Sequence, residues 1–289
     1  MAPRLSLCMI VKNEEQRLGK CLDSVRPLGA ELIVVDTGST DRTREVARKY
    51  GAEIAEFDFP TTDFASARNY GLDRARGRWI LVLDADETLD AKSVASFQRL
   101  TAGEVNAGYY FQRRNYHASG DAPTTDYPVR LYPNRAAYRY RGRVHETIDG
   151  AILAAGGRLV RSEIQIDHDF ASDPAARRQR NLWYIEILKE EIAADPNDTG
   201  RLDFLAAEYH QLGRFEDAAQ VAEQIVGLRP LDAQAHLHAG VYRLLSGTNR
   251  QRARTDFETA LKLRPGDQEA HSFLEFLNQM ESATETARR

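Results

Sequence analysis

The chain has 289 residues, 28% of them charged and 42% hydrophobic, with a formal net charge of −4. That length exceeds one ordinary core and suits two domains. The slight acidity argues against a nucleic-acid partner, which needs a basic surface, and no apolar run reaches the roughly 18–20 residues that span a bilayer. Residues Met1 to Ile10 hold one arginine and a short apolar stretch. Lys12, Asn13 and Glu14 follow where a small-residue cleavage site would stand, so a secretory signal is not expected. Cys8 and Cys21 are the only cysteines, with neither metal spacing nor a disulfide framework. Cys8 is expected to pack inside a strand, and the chain reads as cytoplasmic.

Leu5 to Val11 reads as a first strand, and Glu15 to Val25 has helical spacing through Leu18, Leu22 and Val25. Glu31 to Val35 is a second strand ending at Asp36. A helix from about Asp41 to Tyr50 stops at Gly51, the residue type favoured just past a helix end. Ala52 to Phe57 is a third strand, Phe64 to Ala75 a helix, and Trp79 to Leu83 a buried fourth strand running into Asp84. Alternation of this kind implies βαβ units and a mostly parallel sheet. Ligands on such sheets bind beyond the carboxyl ends of the strands, where Lys12, Asn13, Asp36, Asp84 and Asp86 all fall.

Gly108 to Arg113, Val129 to Tyr132 and Arg158 to Ile166 read as further strands. A long helix from about Asp173 to Ala193 follows, broken by Asp195-Pro196. The expected division is 1–172 for an α/β domain, 173–195 for a connecting helix and 196–289 for a helical domain. In the last part Leu205, Tyr209, Gly213, Phe215, Ala218, Ala222 and Pro230 recur imperfectly one period later as Leu237, Gly240, Tyr242, Gly247, Ala253, Phe257, Ala260 and Pro265. These small and aromatic positions resemble the tetratricopeptide repeat, a helix pair of about 34 residues. Asp267 to Met280 reads as a terminal capping helix, and the helix before the repeats is expected to supply packing surface that two repeats lack.

Asp84-Ala85-Asp86-Glu87 closes the fourth strand. In an extended chain residues i and i+2 point the same way, so Asp84 and Asp86 can face one ligand across the small Ala85. Their oxygens suit Mg²⁺ or Mn²⁺, which would neutralise a departing diphosphate. The bland alternative is an acidic surface turn. Ser39 and Asp41 are best read as helix-capping residues.

Three motifs stand in order with that acidic pair: Met9-Ile10-Val11-Lys12-Asn13-Glu14-Glu15, Val35-Asp36-Thr37-Gly38-Ser39-Thr40-Asp41 and Ala67-Arg68-Asn69. Together they resemble family 2 glycosyltransferases of the GT-A fold. By that resemblance Val11, Asn13, Glu14, Asp36, Arg68, Asp84, Ala85 and Asp86 line a nucleotide-sugar site. Asp36 would meet the base or ribose, Arg68 the nucleotide or diphosphate, Asp84 the ribose side and Asp86 the metal. Many relatives carry a second Asp where Thr37 stands, so base recognition can differ here.

Val129-Arg130-Leu131-Tyr132-Pro133-Asn134, then Tyr140-Arg141-Gly142-Arg143-Val144-His145-Glu146, extend the resemblance, as do Ile166-Asp167-His168, Arg180-Asn181 and the repeats. They are similar to the branch that joins a transferase domain to tetratricopeptide repeats, which includes sublancin-type peptide S-glycosyltransferases and lipopolysaccharide-core glucosyltransferase relatives. The resemblance implies inverting transfer from a UDP-sugar to a peptide or protein side chain or a glycan, docked partly on the repeats. Such transfer needs a base. The Glu-Asp pair many family members use is absent, so Glu146 is the first choice and His145 the second. His168 is either a satisfied core residue or a late metal ligand. Two other functions stand as alternatives: a nucleotidyltransferase, which the glycine-free Lys12–Glu15 loop disfavours, and a non-catalytic adaptor, which the retained Asp84, Asp86 and Arg68 disfavour. The sequence leaves open the sugar, the acceptor and whether the repeats form a homodimer.

Overall fold

The computed structural model describes the chain except residues 1–3, 59–62, 104–105, 118–121, 171–173 and 289. It divides into two compact units, Met1–Asp173 and Pro174–Arg289. Asp173, the expected first residue of the connecting helix, lies outside the described residues.

The first unit opens with alternating elements: β1 (Leu5–Val11), α1 (Leu18–Val25), β2 (Glu31–Asp36), α2 (Thr43–Lys49), β3 (Glu53–Glu56), α3 (Phe64–Leu72) and β4 (Trp79–Val82). It continues through β5 (Glu87–Leu89), α4 (Val94–Ala102), β6 (Ala107–His117), β7 (Thr124–Asp126), β8 (Val129–Pro133), α5 (Asp149–Ala154) and β9 (Arg158–Phe170). One sheet runs β3-β2-β1-β4-β8-β6-β9-β5, with β7 paired on β6. The β3-β2-β1-β4 half is parallel, as the alternation implies. Beyond it the sheet is mixed: β8 runs antiparallel to β4 and β6, β9 parallel to β6, and β5 antiparallel to β9. The short connection from β6 to β7 can close only an antiparallel pair, as observed.

Side-chain alternation along β1 splits the core between two faces. Leu5, Leu7, Met9 and Val11 pack with Leu18, Cys21, Leu22 and Val25 on the α1 face. Cys8 points to the other face with Ala65 and Leu72 of α3. Burial pushes the Cys8 thiol up to about 12, so it behaves as a small apolar core residue. Gly77 lets the chain enter β4 tight against β1. A Cβ there would stand 2.5 Å from the Ser6 nitrogen, and the Gly77 N–H donates to Ser6 Oγ at 2.8 Å.

The second unit is helical: α6 (Pro174–Ala194), α7 (Thr199–Gln211), α8 (Phe215–Leu228), α9 (Ala233–Ser246), α10 (Arg250–Leu263) and α11 (Gln268–Arg288). Each helix packs mainly on the next in sequence, and α6 covers α7. That is the nearest-neighbour pattern of a solenoid. Two pairs start at Thr199 and Ala233, and the single helix α11 starts at Gln268, close to the period of about 34 residues for tetratricopeptide repeats. Gly240 of α9 sits against Phe257 of α10, where a Cβ would fall 2.6 Å from the ring.

Candidate active site

The carboxyl ends of β1 and β2 carry two loops stitched to each other by polar side chains. Asp36 Oδ1 accepts from the N–H groups of Gly38 and Ser39 at 2.9 and 2.8 Å. Ser39 Oγ in turn accepts from Asn13 N at 3.0 Å, and Asn13 Oδ1 accepts from Thr40 N at 2.8 Å. Asn13 holds a left-handed φ of 58°, which a short amide side chain tolerates better than most. Asp41 takes Glu15 N at 3.1 Å and Thr43 N at 2.9 Å, while Glu15 Oε2 takes Arg42 N at 2.9 Å. Ser39 therefore joins loop to loop, while Asp41 does this and also caps α2 as expected, by accepting from the helix's first N–H, that of Thr43. The same bonds delay both helices, to Leu18 and Thr43. Val11, expected in the binding set, stands at the carboxyl end of β1. Its side chain lies in the α1-face core, and its carbonyl accepts from Thr37 N and Oγ1 at 3.0 and 3.1 Å. Asp36 Oδ2 is buried without a hydrogen-bond partner, an acceptor that suits an incoming N–H or hydroxyl.

Beside these loops runs a row of alternating charges. Arg68 of α3 donates from Nε to Glu146 Oε1 at 2.5 Å and from Nη2 to Asp84 Oδ1 at 2.9 Å. Arg130 of β8 donates from Nη2 to Asp84 Oδ2 at 2.8 Å and also to Glu87 Oε1. Arg113 of β6 reaches Glu87 Oε1 at 3.0 Å and grips Asp126 with two bonds of 2.8 and 2.5 Å. Burial alone would raise the Asp84 carboxyl, but Arg130 and then Arg68 more than reverse it and hold it well below the usual carboxylate range. Asp84 is held with both oxygens on guanidiniums, whereas Asp86 has other partners. The reason is local. Glu87 N donates to Asp84 O at 3.0 Å, closing a turn where an extended strand would have put both carboxylates on one side.

Asp86 instead faces β9. Its Oδ2 lies 3.4 Å from His168 Nε2 and 3.7 Å from Arg17 Nη1. The backbone supports the approach, since Asp169 N donates to Asp86 O at 3.1 Å. His168 Nδ1 stands 2.7 Å from Asn115 Oδ1; an amide oxygen only accepts, so Nδ1 carries a proton and Nε2 faces the carboxylate. A carboxylate oxygen and an imidazole nitrogen so placed can flank one cation or share one proton, and the outer Asn115 contact fixes the ring as ligating histidines are commonly fixed. Among the described residues no group of three or more such side chains could hold a metal alone. A bound ion would therefore complete its shell from phosphate and water, as Mg²⁺ and Mn²⁺ do. Asp86 and Ala85 also border a cavity of about 420 Å³ lined by Arg17, Lys20, Tyr116, Asp167 and Asp169 among others.

The segment after β8 brings Glu146 to Arg68. Asn69 brackets Tyr140 with bonds of 3.0 and 2.9 Å to its carbonyl and N–H. Arg141 and Thr147 exchange backbone bonds. His145, between them, has φ 49°, a left-handed conformation uncommon for residues other than glycine and one found at functional sites.

The glycosyl transferase family 2 model matches residues 6–166 of the chain. The chain belongs to glycosyl transferase family 2. Among its relatives, a TPR repeat-containing protein of Synechococcus elongatus is 39% identical over 52% of this chain and 37% of its own length. The lipopolysaccharide core biosynthesis glycosyltransferase LpsC of Rhizobium meliloti is 34% identical over 40% of this chain and 45% of its own. The SPbeta prophage-derived glycosyltransferase SunS of Bacillus subtilis is 24% identical over 75% of this chain and 51% of its own. The chain thus spans about half or less of the length of these relatives. Among solved structures, S. aureus TarS 1-349 superposes with a TM-score of 0.52 at 13% identity, covering 91% of this chain and 90% of that one. Its complex with UDP matches at 0.50. The likeness supports the GT-A fold.

Within this family 2 domain, sequence reasoning missed Arg113, Glu87, Arg130 and Asn115. Arg130 carried a signal, as a lone charge inside the apolar run Val129–Tyr132; such a residue must find a buried partner. Glu87, fully buried, carried no comparable signal, because it reads as one more acid in an exposed turn.

Proposed function

We propose that this family 2 glycosyltransferase moves a sugar, with inversion, from a UDP-sugar to a peptide, protein or glycan acceptor with the help of a divalent metal. The observation that carries the reading is the Asp86–His168 pair, 3.4 Å apart, at the end of a sheet that family 2 enzymes use for nucleotide sugars. Asp86 and His168 would hold Mg²⁺ or Mn²⁺, which supplies positive charge to the diphosphate as it leaves. Asp36 Oδ2 and Asn13, with Glu14, lie where the β1 and β2 loops would receive the nucleoside. Asp84, kept ionised by two arginines, offers a fixed negative edge to the ribose side. Glu146 takes the acceptor proton, with Arg68 orienting the carboxylate through Oε1. His145 follows as the second choice because its unperturbed basicity also suits the role. The name of LpsC describes a lipopolysaccharide-core enzyme, which favours a glycan acceptor, the resemblance to peptide S-glycosyltransferases favours a peptide, and the helical repeats offer the docking surface for either. The test is a panel of sugar nucleotides with Mn²⁺ and with chelator. Hydrolysis of one UDP-sugar that stops on chelation is expected; turnover indifferent to chelation removes the metal from the reading.

A further inference from the structure

Four side chains of the ion-pair row were not used above to bind or transfer anything: Asp126, Arg113, Glu87 and Arg130. With Asp84, Arg68 and Glu146 they form a continuous series of alternating sign, each carboxylate touching the next guanidinium. Its centre is inside the protein: the Glu87 side chain is 0% exposed, Arg130 7% and Arg68 9%. Charges buried this deeply are costly to desolvate and are tolerated only when each is matched. Replacing one therefore shifts the equilibrium position of its neighbours.

The two ends of the inner stretch belong to different parts of the site. Asp84 leaves β4 on the donor side, and Glu146 stands on the loop after Tyr140. Arg68 is the only described link between them among these bonds, and it shares Asp84 with Arg130. Without Arg130, Asp84 would draw on Arg68 alone, pulling the guanidinium from Glu146. The Asp84 N–H bond to Glu87 Oε2 at 3.0 Å ties the backbone of the acidic turn to the same series.

We propose that Arg130, backed by Glu87 and Arg113, is a positioning residue that sets the Arg68–Glu146 contact and so couples the donor-side carboxylate to the acceptor loop. This rests on the transferase reading for its effect on turnover, but not for its effect on geometry. Arg130 touches neither Glu146 nor the Nε of Arg68, so its shortest bonded route to that contact runs through Asp84.

Two readouts test it on the full chain. The first is the Arg68 Nε–H resonance, assigned by its loss in Arg68→Lys. It is expected to shift in Arg130→Lys, and in Glu146→Gln. The second is UDP-hexose hydrolysis with Mn²⁺ for Arg130→Lys, Glu146→Gln and the double variant. The Arg130→Lys rate is expected to fall about tenfold while UDP affinity stays within about threefold. The double variant should be no slower than Glu146→Gln by more than about twofold, since coupled residues are not additive. A merely structural role would leave the losses multiplicative. An unmoved Arg68 resonance, or full multiplicativity, overturns the proposal. If Arg130→Lys does not fold, Glu87→Gln is read the same way, with the same signs. A wild type that hydrolyses no UDP-hexose defeats the transferase reading, and the resonance alone then decides the positioning claim.

Discussion

Glu146 Oε1 lies 2.5 Å from Arg68 Nε, so the residue chosen to accept a proton is already bound to a cation. The arrangement fixes the direction of the carboxylate and leaves proton acceptance to its second oxygen. Glu146→Gln is expected to cut transfer by roughly 10²–10⁴-fold with little change in UDP affinity, and His145→Ala to be the milder lesion. If the true acceptor is a cysteine thiol, raising the pH rescues Glu146→Gln, because the acceptor supplies its own thiolate; a hydroxyl acceptor shows no such rescue near neutrality. Single-turnover rates across pH separate these outcomes, and a fully active Glu146→Gln moves the base to His145. At this scale the sequence exposed the acidic turn but not its geometry. Asp84 and Asp86 look equivalent in a string, and only the turn closed by Glu87 N and Asp84 O sends one to two arginines and the other to His168.

Among the elements, the strands with strong apolar signals were legible: β1, β2 and β4 were read to within a residue or so, because alternation and burial agree along them. β5, β7 and α5 were not, being three to six residues long and stabilised by neighbours rather than by local pattern. α4 was missed as well, although Val94, Phe97, Leu100 and Thr101 fall at helical spacing and pack toward the core. β9 continues four residues beyond the expected Ile166, where pairing with β5 and β6 supports polar positions. The helical repeats were legible from their small residues, and Gly240 gives that reading a test. Its missing side chain admits the Phe257 ring, itself stacked on Phe273 at 5.1 Å. Gly240→Ala is expected to lower stability by about 1–3 kcal/mol through overpacking, despite alanine's better helix propensity. Chemical denaturation of the two proteins measures it, and a stabilised variant would show that α9 and α10 are not held so closely.

For the whole molecule, the donor-side residues and both proposed metal ligands belong to the unit ending at Asp173, while the second unit has nearest-neighbour packing and its own core. A chain ending at residue 173 is accordingly expected to bind UDP and to lose transfer to a large acceptor more than hydrolysis of the donor. Full transfer by that folded fragment would remove the repeats from acceptor use. The central claim, however, lies with Asp86. Calorimetric titration of UDP into the full chain with Mn²⁺, wild type beside Asp86→Ala, tests it most directly. Metal-dependent binding by the wild type that disappears in the folded variant is the expected result. Equal, Mn²⁺-dependent binding by both proteins would contradict the account.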